Sequence, residues 1–258
     1  MIGVDPGATR KLASAALGVA TPDAVVAKLG HGADLDHAEA AALFAALGRS
    51  ERAAPRTRLV EAGGRSCGGL ALLDGFACRY RQTQAGRRQI TALLLPGDLH
   101  DPQAGLANGA DHGVMTLSYC TIASVPAETL ERLKADHPRI RQALTWAMLA
   151  EVSTAREWIV SLATRSAAQR LAHLLCEVSA RLRAAGHAVE AGRRLPLCRE
   201  DLVDTLGVSP VLLNRIVAEL AAAGLIACHD RALTILDHPR LQAFVAFDPA
   251  YLHLRCIG

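Results

Sequence analysis

The stretch EDLVDTLGVSPVLLNRIVAELAAAGLI, residues 200–226, constrains this chain more than any other. Its apolar side chains recur every three or four positions, stop at Gly207, and resume after the pair Ser209-Pro210. That spacing predicts two short amphipathic helices joined by a tight turn. Gly207 supplies the backbone freedom that a sharp angle requires. Ser209 is placed to cap the second helix and Pro210 to open it. Leu202 and Leu206 before the turn, Val208 within it, and Leu213 and Ile216 after it form one apolar set that joins the helices. Gly224 ends the second helix, and LIACHDRALTILD then reads as two short strands around His229-Asp230-Arg231. Helix, turn, helix and wing in this order describe a winged helix-turn-helix.

Such helix pairs also occur in proteins that never meet DNA, so the exposed face of the second helix decides the reading. Pro210, Val211, Asn214 and Arg215 point away from the apolar set. Arginine and asparagine are side chains suited to base edges. The sequence therefore predicts a recognition helix that starts at Ser209 and reaches bases through Asn214 and Arg215. Backbone groups at the helix start, around Ser209, Pro210 and Val211, would meet phosphate.

The chain has 258 residues, enough for one large or two ordinary domains. It is 51% hydrophobic, only 3% aromatic and rich in alanine, which favours a helix-rich globular protein. The formal charge of +3 permits a polyanionic partner without demanding one. Seven cysteines, at 67, 78, 120, 176, 198, 228 and 256, include no Cys-x-x-Cys pair. A zinc ribbon, a redox dithiol or a clustered iron–sulfur site is thus not expected. The opening MIGVDPGATRKLASAALGVATPDAVV has no sustained apolar run, so neither a signal peptide nor a membrane anchor is expected, and a cytoplasmic location is.

Residues 1–33 are weakly patterned and read as a poorly ordered lead. A short helix over 36–48 follows. RLVEAGG, LALLDGFACRYRQ, RRQITALLLPGD and MTLSYCTIASVP are short apolar or alternating runs separated by turn residues, which predicts a β-sandwich or roll over 34–125. After Pro126 the pattern is helical. AETLERLKADH forms one helix, and a long one follows from about Pro138 to Thr164. Within it Thr145, Met148, Val152, Ala155, Ile159 and Leu162 alternate three and four residues apart, a heptad-like seam. Standing between a β domain and a helical one, that seam is expected to pair with a second copy. Ser166 and Gln169 form a capping box that opens a further helix to about Ala185. The architecture is thus α+β: a β-roll over 34–125, a connector and dimerisation helix over 126–164, and a winged helix-turn-helix over 165–258.

At this point the chain resembles the Crp/Fnr family of bacterial transcription regulators. The likeness is carried by GFACRYRQTQAGRRQITALLLPGD, RSAAQRLAHLLCEV, LCREDLVDTLGVSPVLLNRIVAELAAAGLI and the closing FDPAYLHL. It implies a β-roll sensor, cyclic-nucleotide-binding-like in fold, with a dimerisation helix and a DNA-binding winged helix-turn-helix. Double-stranded DNA with a near-palindromic operator and RNA polymerase are the implied partners, beside an unknown small-molecule effector. The departures are specific. Cyclic-nucleotide binders carry Gly-Glu-Leu followed by an Arg-Ser or Arg-Thr pair, whereas here Gly97-Asp98-Leu99 is followed by HDPQAGLANGADHGV. His112-Gly113 stand near the place of the arginine pair, so the charge-assisted fork for a cyclic phosphate is missing. No cysteine precedes Cys67, where the oxygen-sensing branch has its cluster. Pro210-Val211 replace the family's frequent Arg-Glu pair, while Arg215 is kept.

Other candidates carry less. Asp98, His100, Asp101, Asp111 and His112 would, as a metal site, make the protein a cupin-like metal-binding enzyme or sensor fused to a helix-turn-helix. That is the alternative reading, weakened by the lack of a His-x-His pair. Arg79, Arg81, Arg87 and Arg88 flank an Ala-Gly turn and read as solvated hairpin charges rather than as a site for an anionic effector. Cys78 and Cys120 read as buried fillers, and His173 and His253 show no partner in the sequence. No catalytic arrangement, metal site or cofactor is expected, and the protein is read as a regulator rather than an enzyme.

Overall fold

The computed structural model describes residues 23–64, 68–101, 109–187, 194–229 and 232–255. Two short helices come first, α1 (Asp23–Leu29) and α2 (His37–Ala46). Eight strands follow: β1 (Ser50–Ala53), β2 (Arg58–Val60), β3 (Gly68–Asp74), β4 (Ala77–Gln82), β5 (Arg88–Leu94), β6 (Leu99–His100), β7 (Gly113–Thr116) and β8 (Cys120–Pro126). Among the described residues they make two four-stranded antiparallel sheets, ordered β1-β8-β3-β6 and β2-β7-β4-β5. Leu72, Ala77, Leu94, Val114, Cys120 and Ile122 are buried between the sheets. The β3–β4 turn is feasible because residue 75 is glycine: its φ is +84°, and a Cβ there would lie 2.1 Å from Tyr119 O.

Helices α3 (Ala127–Asp136) and α4 (Pro138–Thr164) come next. Leu130, Leu133, Ile140 and Leu144 of these helices join Val25, Leu29 and Leu43 in a cluster over Ala71, Leu73, Ala123 and Val125 of the roll. This corrects the expectation of a poorly ordered lead for residues 23–33. Val25 and Leu29 are fully buried there, so α1 owes its stability to packing rather than to its own length. Residues 1–22 lie outside the described residues.

Helix α4 has 27 residues, about 40 Å at 1.5 Å per residue. Only its first turns are buried, at Ile140, Ala143 and Leu144, with Ser161 near the other end. The capping box at Ser166–Gln169 opens α5 (Ala167–Ala184) as expected, with Gln169 N–H donating to Ser166 Oγ at 3.2 Å. Strand β9 (Arg194–Leu195), helices α6 (Arg199–Leu206) and α7 (Pro210–Ala222), and strands β10 (Ile226–His229) and β11 (Ala232–Ile235) follow. The three strands form a small sheet in the order β10-β11-β9. Helix α8 (His238–Val245) and a 3-10 turn (Pro249–Leu252) end the fold. One continuous apolar cluster runs from Phe76, Tyr80, Ile90 and Leu93 of the roll to Leu171, Leu202, Leu213 and Leu233 of the helical half.

Candidate nucleic-acid interface

Helix α6 stops at Gly207, whose φ of 63° and ψ of 38° place it in the left-handed region. Helix α7 leaves at 101° to α6. Leu202, Leu206, Val208, Leu213 and Ile216 are all buried in the angle between them. Ser209 Oγ accepts the Leu212 N–H at 3.2 Å, and Pro210 occupies the first helical position. The cap satisfies one backbone donor and leaves the Val211 N–H unbonded within the helix, aimed out of its N-terminus.

The face of α7 turned away from the core is open. Ser209, Pro210, Asn214 and Arg215 are exposed, and Val211 is 79% exposed. Arg215 has no hydrogen-bond or ion-pair partner among the described residues, so its five donors are unspent. Asn214 differs, because its Oδ1 is bonded by Nη1 of Arg199 from the first turn of α6. Arg199 was not marked by the sequence pattern. The signal available was an exposed arginine at the start of the first helix of the pair.

The long helix presents a second open face. Thr145, Met148, Val152, Ala155, Ile159 and Leu162 are all exposed on α4, Ile159 by 67%. Leu149 and Val160 extend the same side. These side chains leave an apolar stripe open along one side of one helix, the kind of surface that partner proteins cover.

The helix-turn-helix is also tied to the roll. Asp201, fully buried on α6, accepts from Arg56 Nη1 at 2.6 Å and Arg88 Nη2 at 2.9 Å. Arg88 Nε donates to Asp204 at 2.7 Å, and Gln89 Nε2 to the Thr205 carbonyl at 3.4 Å. Arg79 is buried too, donating through Nε to His100 Nδ1 at 2.9 Å and pairing with Glu151 of α4. Arg79 and Arg88 are therefore not the solvated hairpin charges expected, whereas Arg81 and Arg87 are exposed. The distinction depends on carboxylates more than 70 residues away, which no local pattern reveals.

A cavity of about 390 Å³ lies between the roll and α4, walled by Arg79, Asp98, Trp146, Glu151, Arg181 and Leu252 among others. Asp98 accepts from Leu95 N and Arg181 Nη2, both at 2.8 Å, and pairs with Lys28. The carboxylate of the Gly97-Asp98-Leu99 run is thus engaged by the protein's own cations. His100 is held near a pKa of about 3 by burial and by the Arg79 charge. His112 bonds Asp111, and its ring meets His100 edge-on at 5.2 Å. Among the described residues no three of the His, Cys, Asp and Glu side chains converge as a metal site.

Cys78 and Cys120 are buried in β4 and β8, and burial pushes their thiols up to about 12 and about 11. His173 and His253 do have partners. His173 packs 5.1 Å from Phe247 and 5.8 Å from Tyr251, while His253 Nε2 bonds Ser153 Oγ at 3.0 Å and its carbonyl accepts from Trp146. Among the described residues no single helix is long and apolar enough to cross a membrane.

Residues 169–244 match the Crp-like helix-turn-helix domain. The nitrogen fixation regulation protein FixK of Bradyrhizobium diazoefficiens is 30% identical over 176 residues, 68% of this chain and 73% of that protein. The fumarate and nitrate reduction regulatory protein of Vibrio cholerae is 27% identical over 172 residues, 67% of this chain and 68% of its own length. In three dimensions, FixK2 from Bradyrhizobium japonicum superposes with a TM-score of 0.67 at 21% identity, covering 78% of this chain and 98% of that one. A CRP-family transcriptional regulator from Thermus thermophilus gives 0.62 at 17% identity, over 76% and 97%. The two solved structures share the β-roll, long-helix and helix-turn-helix fold, and the sequence relatives are regulators. The chain belongs to the Crp/Fnr family of DNA-binding transcriptional regulators.

Proposed function

We propose that the protein is a homodimer that reads a near-palindromic operator in the cytoplasm and acts there with RNA polymerase as a regulator, not as an enzyme. One observation carries this reading: among the described residues the same chain has an exposed recognition face on α7 and an exposed apolar face on α4. Pairing α4 with its symmetry mate through Thr145, Met148, Val152, Ala155, Ile159 and Leu162 covers the second face and places two copies of the first in a two-fold arrangement. Arg215 then makes the bidentate contact to guanine, Asn214 reads a neighbouring base, and Ser209, Pro210 and Val211 lie against phosphate. The domain limits follow: roll to residue 125, dimerising connector to 164, DNA-binding unit beyond.

The roll answers to an effector other than cyclic AMP. Asp98 is already bound to Arg181 and Lys28, and Arg79 to Glu151, so among the described residues the cavity offers Arg81 but no uncommitted arginine pair for a cyclic phosphate. Sequencing of genomic fragments bound in vitro tests the reading. A motif of two inverted half-sites supports it, and Arg215→Ala should flatten the preference at one base pair of each. Binding without sequence preference, or uniform weakening by Arg215→Ala, would reduce Arg215 to a phosphate contact.

A further inference from the structure

Arg199 stands on the exposed side of the first turn of α6, and its Nη1 donates to Asn214 Oδ1 on the open face of α7. A guanidinium has only donors, so the amide can meet it only with its oxygen. The contact therefore fixes which way round Asn214 stands. Its accepting end faces Arg199, and its Nδ2 amino group, with two N–H donors, is left for a base.

We propose that Arg199 sets the base that Asn214 reads; the proposal rests on Asn214 being a base contact. An asparagine free to use both ends recognises adenine, accepting from N6 and donating to N7. Here the accepting end is occupied. Its second lone pair offers little, because an adenine amino group reaching it would stand beside the guanidinium's own N–H groups, donor against donor. What remains is a donor, and the edges that answer a donor are guanine N7 and O6 or thymine O4. Cytosine presents only its N4 amino donor. Asn214 thus selects a keto base over adenine or cytosine at its position. Arg199 is a positioning residue that acts through Asn214.

Selection from a pool of double-stranded DNA with a randomised core, sequenced after binding, tests this with four proteins: the wild type, Arg199→Ala, Arg199→Lys and Asn214→Ala. The wild type should favour guanine or thymine at one position in each half-site. Arg199→Ala frees Oδ1 and should move that position toward adenine by about tenfold, near the lower end of what a bidentate pair is worth, without reordering other positions. Arg199→Lys keeps a donor beside Oδ1 and should restore the wild-type preference. Asn214→Ala should flatten that position alone, and a second change at Arg199 should then move nothing further. If Arg199→Ala weakens all sequences alike while Asn214→Ala still flattens one position, Arg199 serves only phosphate and the inference is overturned. If Asn214→Ala flattens no position, the base-contact reading itself fails, and the inference with it.

Discussion

Replacing Asp201 by alanine should destabilise the folded protein by about 2–3 kcal/mol. Asp201 is fully buried on α6 and accepts from Arg56 at 2.6 Å, Arg88 at 2.9 Å and the Cys198 thiol at 3.0 Å. Breaking a fully buried ion pair by removing one partner costs about 3–5 kcal/mol, because the other charge is stranded. Neither arginine is wholly stranded here. The Arg56 side chain is 41% exposed and can rehydrate, and Arg88 keeps Asp204 at 2.7 Å. Those two escapes bring the figure down to about 2–3 kcal/mol, or a fall of about 5–10 °C in Tm for a chain of this size. Urea denaturation followed by circular dichroism measures it. Since the pair joins the roll to the helix-turn-helix, Arg88→Ala and Asp201→Ala should couple by about 1 kcal/mol or more in a double-mutant cycle. A loss below about 0.5 kcal/mol, the size of an ordinary surface change, or strict additivity, would refute the claim that these charges hold the two halves together.

Ile159→Asp, at the most exposed large apolar side chain of the proposed seam, should leave the protein a monomer in sedimentation at micromolar concentration where the wild type sediments as a dimer, with the far-ultraviolet spectrum unchanged. Titration calorimetry with cyclic AMP should show no binding at micromolar concentrations, and cyclic AMP should not raise DNA affinity; either effect would contradict the account of the cavity. Acid should weaken the fold from about pH 6.5 downward, because burial and the Arg79 charge hold His100 near a pKa of about 3, against an ordinary 6.5. Its folded value is depressed, so its contribution is fully present above the unfolded value and is lost as pH falls, by up to about 1.4 kcal/mol per pH unit. Urea midpoints from pH 7 to pH 5 should show this slope in the wild type and a shallower one in His100→Gln.

The parts of this fold that were legible in the sequence are those fixed by local hydrogen bonding and helical period. Ser209 caps α7 and Ser166–Gln169 box α5 because a helix start must satisfy its own N–H groups within a few residues. Gly207 was readable because the turn needs a left-handed residue. The apolar stripe on α4 was readable from its helical period, and among the described residues its side chains stay exposed. What was not legible depends on distant partners. Helix α1 is seven residues long and stands only because Val25 and Leu29 find a cluster made by α3, α4 and the roll. Arg79 and Arg88 look like hairpin charges until Glu151 and Asp204 are brought to them by the packing of α4 and α6. The link from Arg199 to Asn214 exists only because α6 and α7 cross at 101°.

In the proposed dimer, the two-fold axis sets two α7 helices into successive major grooves, roughly 34 Å apart. Changing the spacing of the half-sites measures it most directly. Lengthening the selected operator between its half-sites by about 5 base pairs, half a helical turn, turns one half-site to the opposite face of the DNA. Affinity should fall to the level of a single half-site, with the protein still dimeric. Undiminished affinity for the lengthened operator would mean that each α7 binds independently, and the two-fold reading would be wrong.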